Sequence, residues 1–251
     1  MARSVPELSA ARDARRELRY ELISGLSGLG LALFMWGHML LVGSILTGAK
    51  GFDWLAGFLE DYFIAQPTVV VITALFVIHA VTAARKIPAK LEERRRMQSV
   101  AKALKTSRPA GLPDVDRTFH PHVDSMLWIW QVRTGLVLLV LGSFHILLLT
   151  VDVLTPIYGD IVGIEAATSM ERVAGGLWLP YAILLLCVEF HASVGLYRLA
   201  IKWGIGSSLS RKTLKRIEQV ILVAFLGFGA VVLAVLAGWL EPPLAFLLEG
   251  G

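Results

Sequence analysis

The chain has 251 residues, of which 55% are hydrophobic and 18% charged, with a mean hydropathy of +0.65. That balance excludes an ordinary soluble enzyme and turns attention to stretches that reach the roughly 20 apolar residues a helix needs to cross a bilayer. The single cysteine, Cys187, excludes an internal disulfide, a multi-cysteine zinc site, an iron–sulfur cluster held by this chain alone and the C-x-x-C-H attachment of covalent haem.

Five stretches qualify. No Asp, Glu, Lys or Arg lies between Glu21 and Lys50, so Leu22 to Thr47 (22–47) is the first span. The mostly polar residues ahead of it, and its own length, speak against a cleavable signal. The second span is 62–84, with Pro67 near its start, where a helix tolerates a missing N–H. The segment 85–125 reads as a loop that opens with a charged, helix-compatible run around Leu91 to Arg96 and passes through a turn or linker at Thr106 to Pro113. The third span is 126–152, apolar from Thr134 to Val151; the fourth is 173–200, interrupted in charge by Glu189; the fifth is 217–240, apolar from Gln219. Each must be helical in lipid, where backbone polar groups find no water. No phosphate loop, nucleophile elbow or short repeat is evident.

The charges orient these spans, because cytoplasmic segments carry the excess of Lys and Arg. Residues 1–21 hold five, 85–125 hold ten and 198–216 hold six, against one each, Lys50 and Arg172, in the other connections and none after Leu240. The N-terminus is expected in the cytoplasm and the C-terminus outside. The net charge of +4 therefore calls for no nucleic-acid partner. The basic segments set topology and touch anionic lipid, and 85–125 is long enough to serve also as a docking surface for a cytoplasmic partner.

The first four spans carry one histidine each: His38, His79, His145 and His191. An imidazole inside a membrane is costly, and four are hard to explain as packing alone. At about 1.5 Å per residue, His38 and His145 lie about 4–5 Å beyond their span midpoints toward the outside, and His79 and His191 about 9 Å toward the cytoplasm. Facing imidazoles at one depth are what six-coordinate haem b requires, so two pairs imply two stacked haems. Gly142, Gly195, Thr82 and Ala83 leave room near three of the histidines; His38 has bulky neighbours. His120 and His122, in the approach to the third span, read as surface or interface residues.

Lys86 and Lys202 follow His79 and His191 by seven and eleven residues, which returns each to the histidine's face of its helix. They are either propionate partners of the inner haem or lysines that snorkel and set topology. Glu189 is the one acid deep in a span, two residues before His191 and about 200° around the helix from it. Proton relay and a structural hydrogen bond are both open to it. Glu60 and Asp61 precede the second span on the outer side. A carboxylate there suits a general base for quinol oxidation, although most loop acids are only solvated.

One histidine on each of four spans, a fifth span without one, the inside N-terminus and Glu189-Phe190-His191 together resemble the dihaem cytochrome b anchor of quinol:fumarate reductase and succinate:quinone oxidoreductase. The resemblance implies an all-α integral membrane bundle of five transmembrane helices, a single cytochrome b domain over 1–251 enclosing two stacked haems b. It assigns His38 with His145 to the outer haem, His79 with His191 to the inner haem, Lys86 and Lys202 to propionates, Glu189 to transmembrane proton transfer and Glu60 to menaquinol oxidation. It further implies menaquinone as substrate, an iron–sulfur subunit and a fumarate-reducing flavoprotein as cytoplasmic partners, a bacterial inner-membrane location and room for a dimer of heterotrimers. Alternatives are the succinate-oxidising direction, a cytochrome b anchor of nitrate reductase, formate dehydrogenase or hydrogenase, and a proton-coupled transporter. The sequence signals neither the discontinuous helices nor the repeated halves usual in transporters.

Overall fold

The computed structural model describes residues 5–106, 123–154 and 164–248. His120, His122 and the linker beyond Thr106 lie outside the described residues. Among these residues there is no strand. The helices are α1 (Val5–Gly43), α2 (Ala49–Asp61), α3 (Ala65–Ala84), α4 (Ile87–Thr106), α5 (Val123–Leu154), α6 (Ala166–Arg172), α7 (Trp178–Trp203) and α8 (Arg211–Leu236). Five helical stretches are long and apolar enough to cross a membrane.

α1 packs on α3 and α5 on α7; α3 also meets α5, and α1 meets α7. These four helices, each bearing one of the span histidines, form a bundle, and α8 lies against α7 and α1. Exposed Leu40, Val140, Leu147 and Val223 cover outward faces. Such a surface would be an aggregation hazard in water, and it suits hydrocarbon. Below, "inner" means the end that carries the basic segments.

The ends of the helices depart from the apolar runs for local reasons. α3 starts at Ala65 because Tyr62 to Ile64 form a turn in which Phe63 takes φ 53°. α8 begins on Ser210, whose hydroxyl accepts the Thr213 N–H at 3.1 Å, and ends at Leu236, with Gly238 left-handed beyond it. The fourth span is not one regular helix. Val173–Leu177 is a π-helical turn in which Gly176 has φ 121°. Pro180 explains it, since it lacks the N–H that the Gly176 carbonyl would accept in an α-helix.

Two elements lie outside the span pattern. α4 continues from the end of α3 and turns much of the segment read as a loop into a largely exposed basic helix, with Lys90–Glu93 at 2.9 Å and Arg96–Glu92 at 2.5 Å along it. α2 is a short amphipathic helix at the outer end that the hydropathy pattern cannot reveal. It buries Phe52 and Ala56 and turns Trp54 and Phe58 outward in an aromatic ladder that Tyr62 continues just past its end, with ring centres 6.1 and 4.8 Å apart. Phe52 and Ala56 join Ile45, Val173, Val232 and Val235 in the main buried apolar cluster, at the outer end of the bundle.

Candidate functional site

The bundle brings the four span histidines together two by two. At the inner level His79 of α3 faces His191 of α7, with ring centres 6.2 Å apart and planes at 88°. At the outer level His38 of α1 faces His145 of α5, with centres 5.9 Å apart and planes at 65°. Two metal–nitrogen bonds of about 2 Å and the two ring half-widths add to about 6 Å between centres. Among the described residues no three His, Cys, Asp or Glu side chains converge as a metal cluster. Two imidazoles and no third ligand are too few for a structural zinc site, and they suit an iron whose other four nitrogens come with a macrocycle.

The inner histidines dock on the neighbouring helices in the same way. His79 Nδ1 lies 3.0 Å from the Ser24 carbonyl oxygen and 3.4 Å from Ser27 Oγ of α1. His191 Nδ1 lies 2.9 Å from the Gln131 carbonyl oxygen and 3.4 Å from Thr134 Oγ1 of α5. A carbonyl can only accept, so each Nδ1 carries the proton and donates it, which leaves Nε2 with the lone pair a metal needs. Gly28 and Gly135 complete the docks. A Cβ on Gly28 would stand 2.7 Å from His79 Cε1, and one on Gly135 would stand 2.9 Å from His191 Cε1.

These contacts expose a repeat that the sequence reading missed. Ser24, Ser27, Gly28 and His38 on α1 have the same spacing as Gln131, Thr134, Gly135 and His145 on α5. Each of the two helices thus supplies one outer histidine and, ten residues earlier, the glycine that receives an inner one. The recurring hydroxyl–glycine pair before each outer histidine was the available signal. The small-residue expectation is corrected in one place: Gly142 looks at Phe76, 3.4 Å from its would-be Cβ. Gly195 does line the inner cavity.

That cavity has a volume of about 1090 Å³ and is lined by Glu21, Gly28, His79, Gln131, His191 and Lys202 among others, with Lys90, Arg94 and Met97 of α4 at its mouth. It is slightly larger than the roughly 300–1,000 Å³ usual for small-molecule sites. Lys86 and Lys202 meet at Glu21: Lys86 Nζ is 2.8 Å from Glu21 Oε1, and Lys202 Nζ closes on the same oxygen; Glu21 and Lys202 line the cavity, and Lys86 stands behind them.

The outer pair is held by side chains. Tyr181 OH is 3.4 Å from His145 Nδ1, its ring set edge-on at 5.5 Å, and Phe34 stacks on His38 at 5.7 Å. The crevice bordering His145 and Tyr181 between α5 and α7 measures about 10 Å³. Toward the outside, Arg172 pairs with both carboxylate oxygens of Asp152.

Of the expected acids, Glu189 is buried in α7, on the same side of the helix as buried Ser193. Glu60 sits at the end of α2, where its Oε1 accepts the Ile164 N–H at 2.8 Å. Seven residues earlier on the same face, Asp53 Oδ1 accepts the Ala166 N–H at 2.7 Å, at the start of α6. Glu60 is therefore not a freely solvated loop acid; with Asp53 it fastens the segment that leads into the fourth span. A second buried carboxylate, Glu218 at the inner end of α8, is paired with Lys215 at 2.6 Å.

The family model described as "Succinate dehydrogenase/Fumarate reductase transmembrane subunit" matches residues 111–231, which include His145, Glu189, His191 and Lys202. The fumarate reductase cytochrome b subunit of Helicobacter pylori is 31% identical over 219 residues, covering 84% of this chain and 77% of that protein, and a second strain gives the same values. The fumarate reductase cytochrome b subunit of Wolinella succinogenes is 32% identical over 238 residues, covering 88% of this chain and 84% of the relative. With five span-length helices and similarity over most of its length to these proteins, the chain belongs to the transmembrane-subunit family of succinate dehydrogenase and fumarate reductase and is a membrane anchor of the cytochrome b kind.

Proposed function

We propose that the chain oxidises menaquinol near its outer histidine pair and conducts electrons inward, through two non-covalent b haems, to an iron–sulfur subunit and a fumarate-reducing flavoprotein on the cytoplasmic side of a bacterial inner membrane. The observation that carries this reading is the facing of the histidines in two pairs, 5.9 and 6.2 Å between ring centres, with one ligand from each of four spanning helices. A b haem held by two imidazoles supplies one-electron transfer with no open position on the iron, so binding and deprotonating the quinol falls to the protein.

In this reading His38 and His145 hold the outer haem and His79 and His191 the inner one. Lys86 and Lys202 stand where propionates of the inner haem can be neutralised. Glu60 keeps one carboxylate oxygen on the Ile164 N–H and uses the other to accept a quinol proton. Glu189 carries a proton through the span in this reading, which its burial in α7 supports. The basic helix α4 faces the iron–sulfur partner.

A pyridine haemochrome assay on the purified complex tests the core of the proposal. Two haems per chain are expected. His38→Ala should remove the outer haem alone and His79→Ala the inner haem alone. A complex without haem, or a His38→Ala/His145→Ala variant that still bound two, would refute it.

A further inference from the structure

Glu21 is a residue the hydropathy pattern marks only as the edge of the first span, yet it is where the inner end of the bundle is tied together. Its Oε1 receives Lys86 Nζ from the end of α3 and Lys202 Nζ from the end of α7, the two helices that carry His79 and His191. The neighbouring Arg85 turns to Glu17, at 3.9 Å, so the two basic residues at the end of α3 take separate carboxylates one turn apart on α1. The side chains of Glu21, Lys86 and Lys202 are 36, 32 and 47% exposed, so the cluster is half out of bulk water, and Glu21 and Lys202 line the cavity. Two ammonium groups gathered at one point repel each other unless an anion lies between them.

The same helix face continues from Glu21 through Ser24, Gly25 and Gly28 along the cavity wall to the dock of His79. Glu21 is two turns, about 10 Å, from Gly28 along that face. A unit charge about 10 Å away in a medium of effective dielectric about 20 changes an equilibrium by about tenfold, and partial exposure reduces this to several-fold.

We infer that Glu21 is a positioning residue of the inner haem site: it holds Lys86 and Lys202 at the rim and, as a fixed negative charge there, keeps the reduction potential of the inner haem below the value the two lysines alone would set. The inference rests on the assignment of His79 and His191 to the inner haem.

The test is a potentiometric titration of the haems in the purified, haem-loaded complex, with His79→Ala used to identify which reductive wave is the inner one. Glu21→Gln, close in size and without charge, should retain both haems and raise the inner wave by up to one tenfold step in its equilibrium, about 59 mV for one electron. The outer wave should stay in place. Lys202→Met should move the inner wave the other way, and Glu21→Asp should restore the original position. An inner wave that does not move in Glu21→Gln, or two waves that move together, would overturn the inference, as would loss of both haems, which marks a residue needed for folding. Loss of the inner haem alone in Glu21→Gln, recovered in Glu21→Asp, supports the positioning role. If His79→Ala removes neither wave, the ligand assignment itself is wrong, and that failure is distinct from a fixed inner wave in Glu21→Gln.

Discussion

The inner and outer histidine pairs have nearly the same spacing and are held by different means. At the inner level each ring donates to a helix carbonyl, at 2.9–3.0 Å, and rests against a glycine. At the outer level a phenol at 3.4 Å and a stacked phenylalanine do the holding, close to the buried apolar cluster formed by the end of α8, α2 and the start of the fourth span. Backbone groups in a helix cannot give way, whereas side chains can change rotamer. The inner site should therefore be intolerant of added volume, and the outer site should respond to lost side-chain contacts by small adjustments.

The largest expected effect tests that contrast directly. Gly28→Ala places a methyl 2.7 Å from the His79 ring, and Gly135→Ala places one 2.9 Å from the His191 ring. The ring must move off its carbonyl, at an overpacking cost of about 1–3 kcal/mol and with loss of ligand aim. Haem content by pyridine haemochrome should fall to one per chain, with the outer haem retained. Gly37→Ala, on the same helix as Gly28 but with nothing within 4 Å of its Cβ position, should keep both. Equal haem loss in all three would mean that α1 loses haem on substitution of a glycine outside the dock as well, and the dock at Gly28 would have no special role.

How far these features were legible in the sequence follows from the same residues. Lipid demands long apolar helices, so the five spans could be read from composition, and the histidines stood out because imidazole is expensive there. Depth arithmetic from span midpoints was enough to pair His38 with His145 and His79 with His191, because helical rise is nearly constant. Glu21 was hidden because its significance depends on where two distant helices end, which no local pattern contains. The π-helical turn had a visible cause in Pro180, but a proline near the start of an apolar run reads as an ordinary helix entry. α2 was missed because its 13 residues are too short to count as a span and too mixed to stand out.

A second, moderate effect separates structure from chemistry at the outer end. Asp53 and Glu60 both accept backbone N–H groups of the segment leading into α6. Asp53→Ala removes the acceptor at the start of that helix and should cost about 1 kcal/mol, read as a lower thermal midpoint of the haem-loaded complex. Glu60→Gln keeps an oxygen for the Ile164 N–H but cannot take a proton. It should leave the thermal midpoint and haem content unchanged while slowing menaquinol oxidation. Unchanged turnover in Glu60→Gln would restrict Glu60 to the fastening role it shares with Asp53.

The smallest effects belong to the contacts at 3.4 Å, and comparing them measures how far side-chain support differs from backbone support. Its hydroxyl, 3.4 Å from His145 Nδ1, is at the long limit of a hydrogen bond, where the interaction is weak. Tyr181→Phe removes that oxygen and keeps the edge-on ring that packs against His145 at 5.5 Å. The outer haem should stay bound, and its potential should rise by no more than a few-fold change in equilibrium, because an imidazole that loses an acceptor for Nδ1–H becomes a poorer donor to the oxidised iron. The carbonyl acceptors of His79 and His191 cannot be removed by any side-chain change, so Ser27→Ala and Thr134→Val, which delete the contacts at 3.4 Å together with each hydroxyl's own bonds to carbonyls of its helix, are the matched comparison. Those variants should move the inner wave less than Tyr181→Phe moves the outer one, since the shorter bonds to the Ser24 and Gln131 carbonyls remain. A larger inner shift would mean that the hydroxyls, and not the backbone, aim the inner ligands.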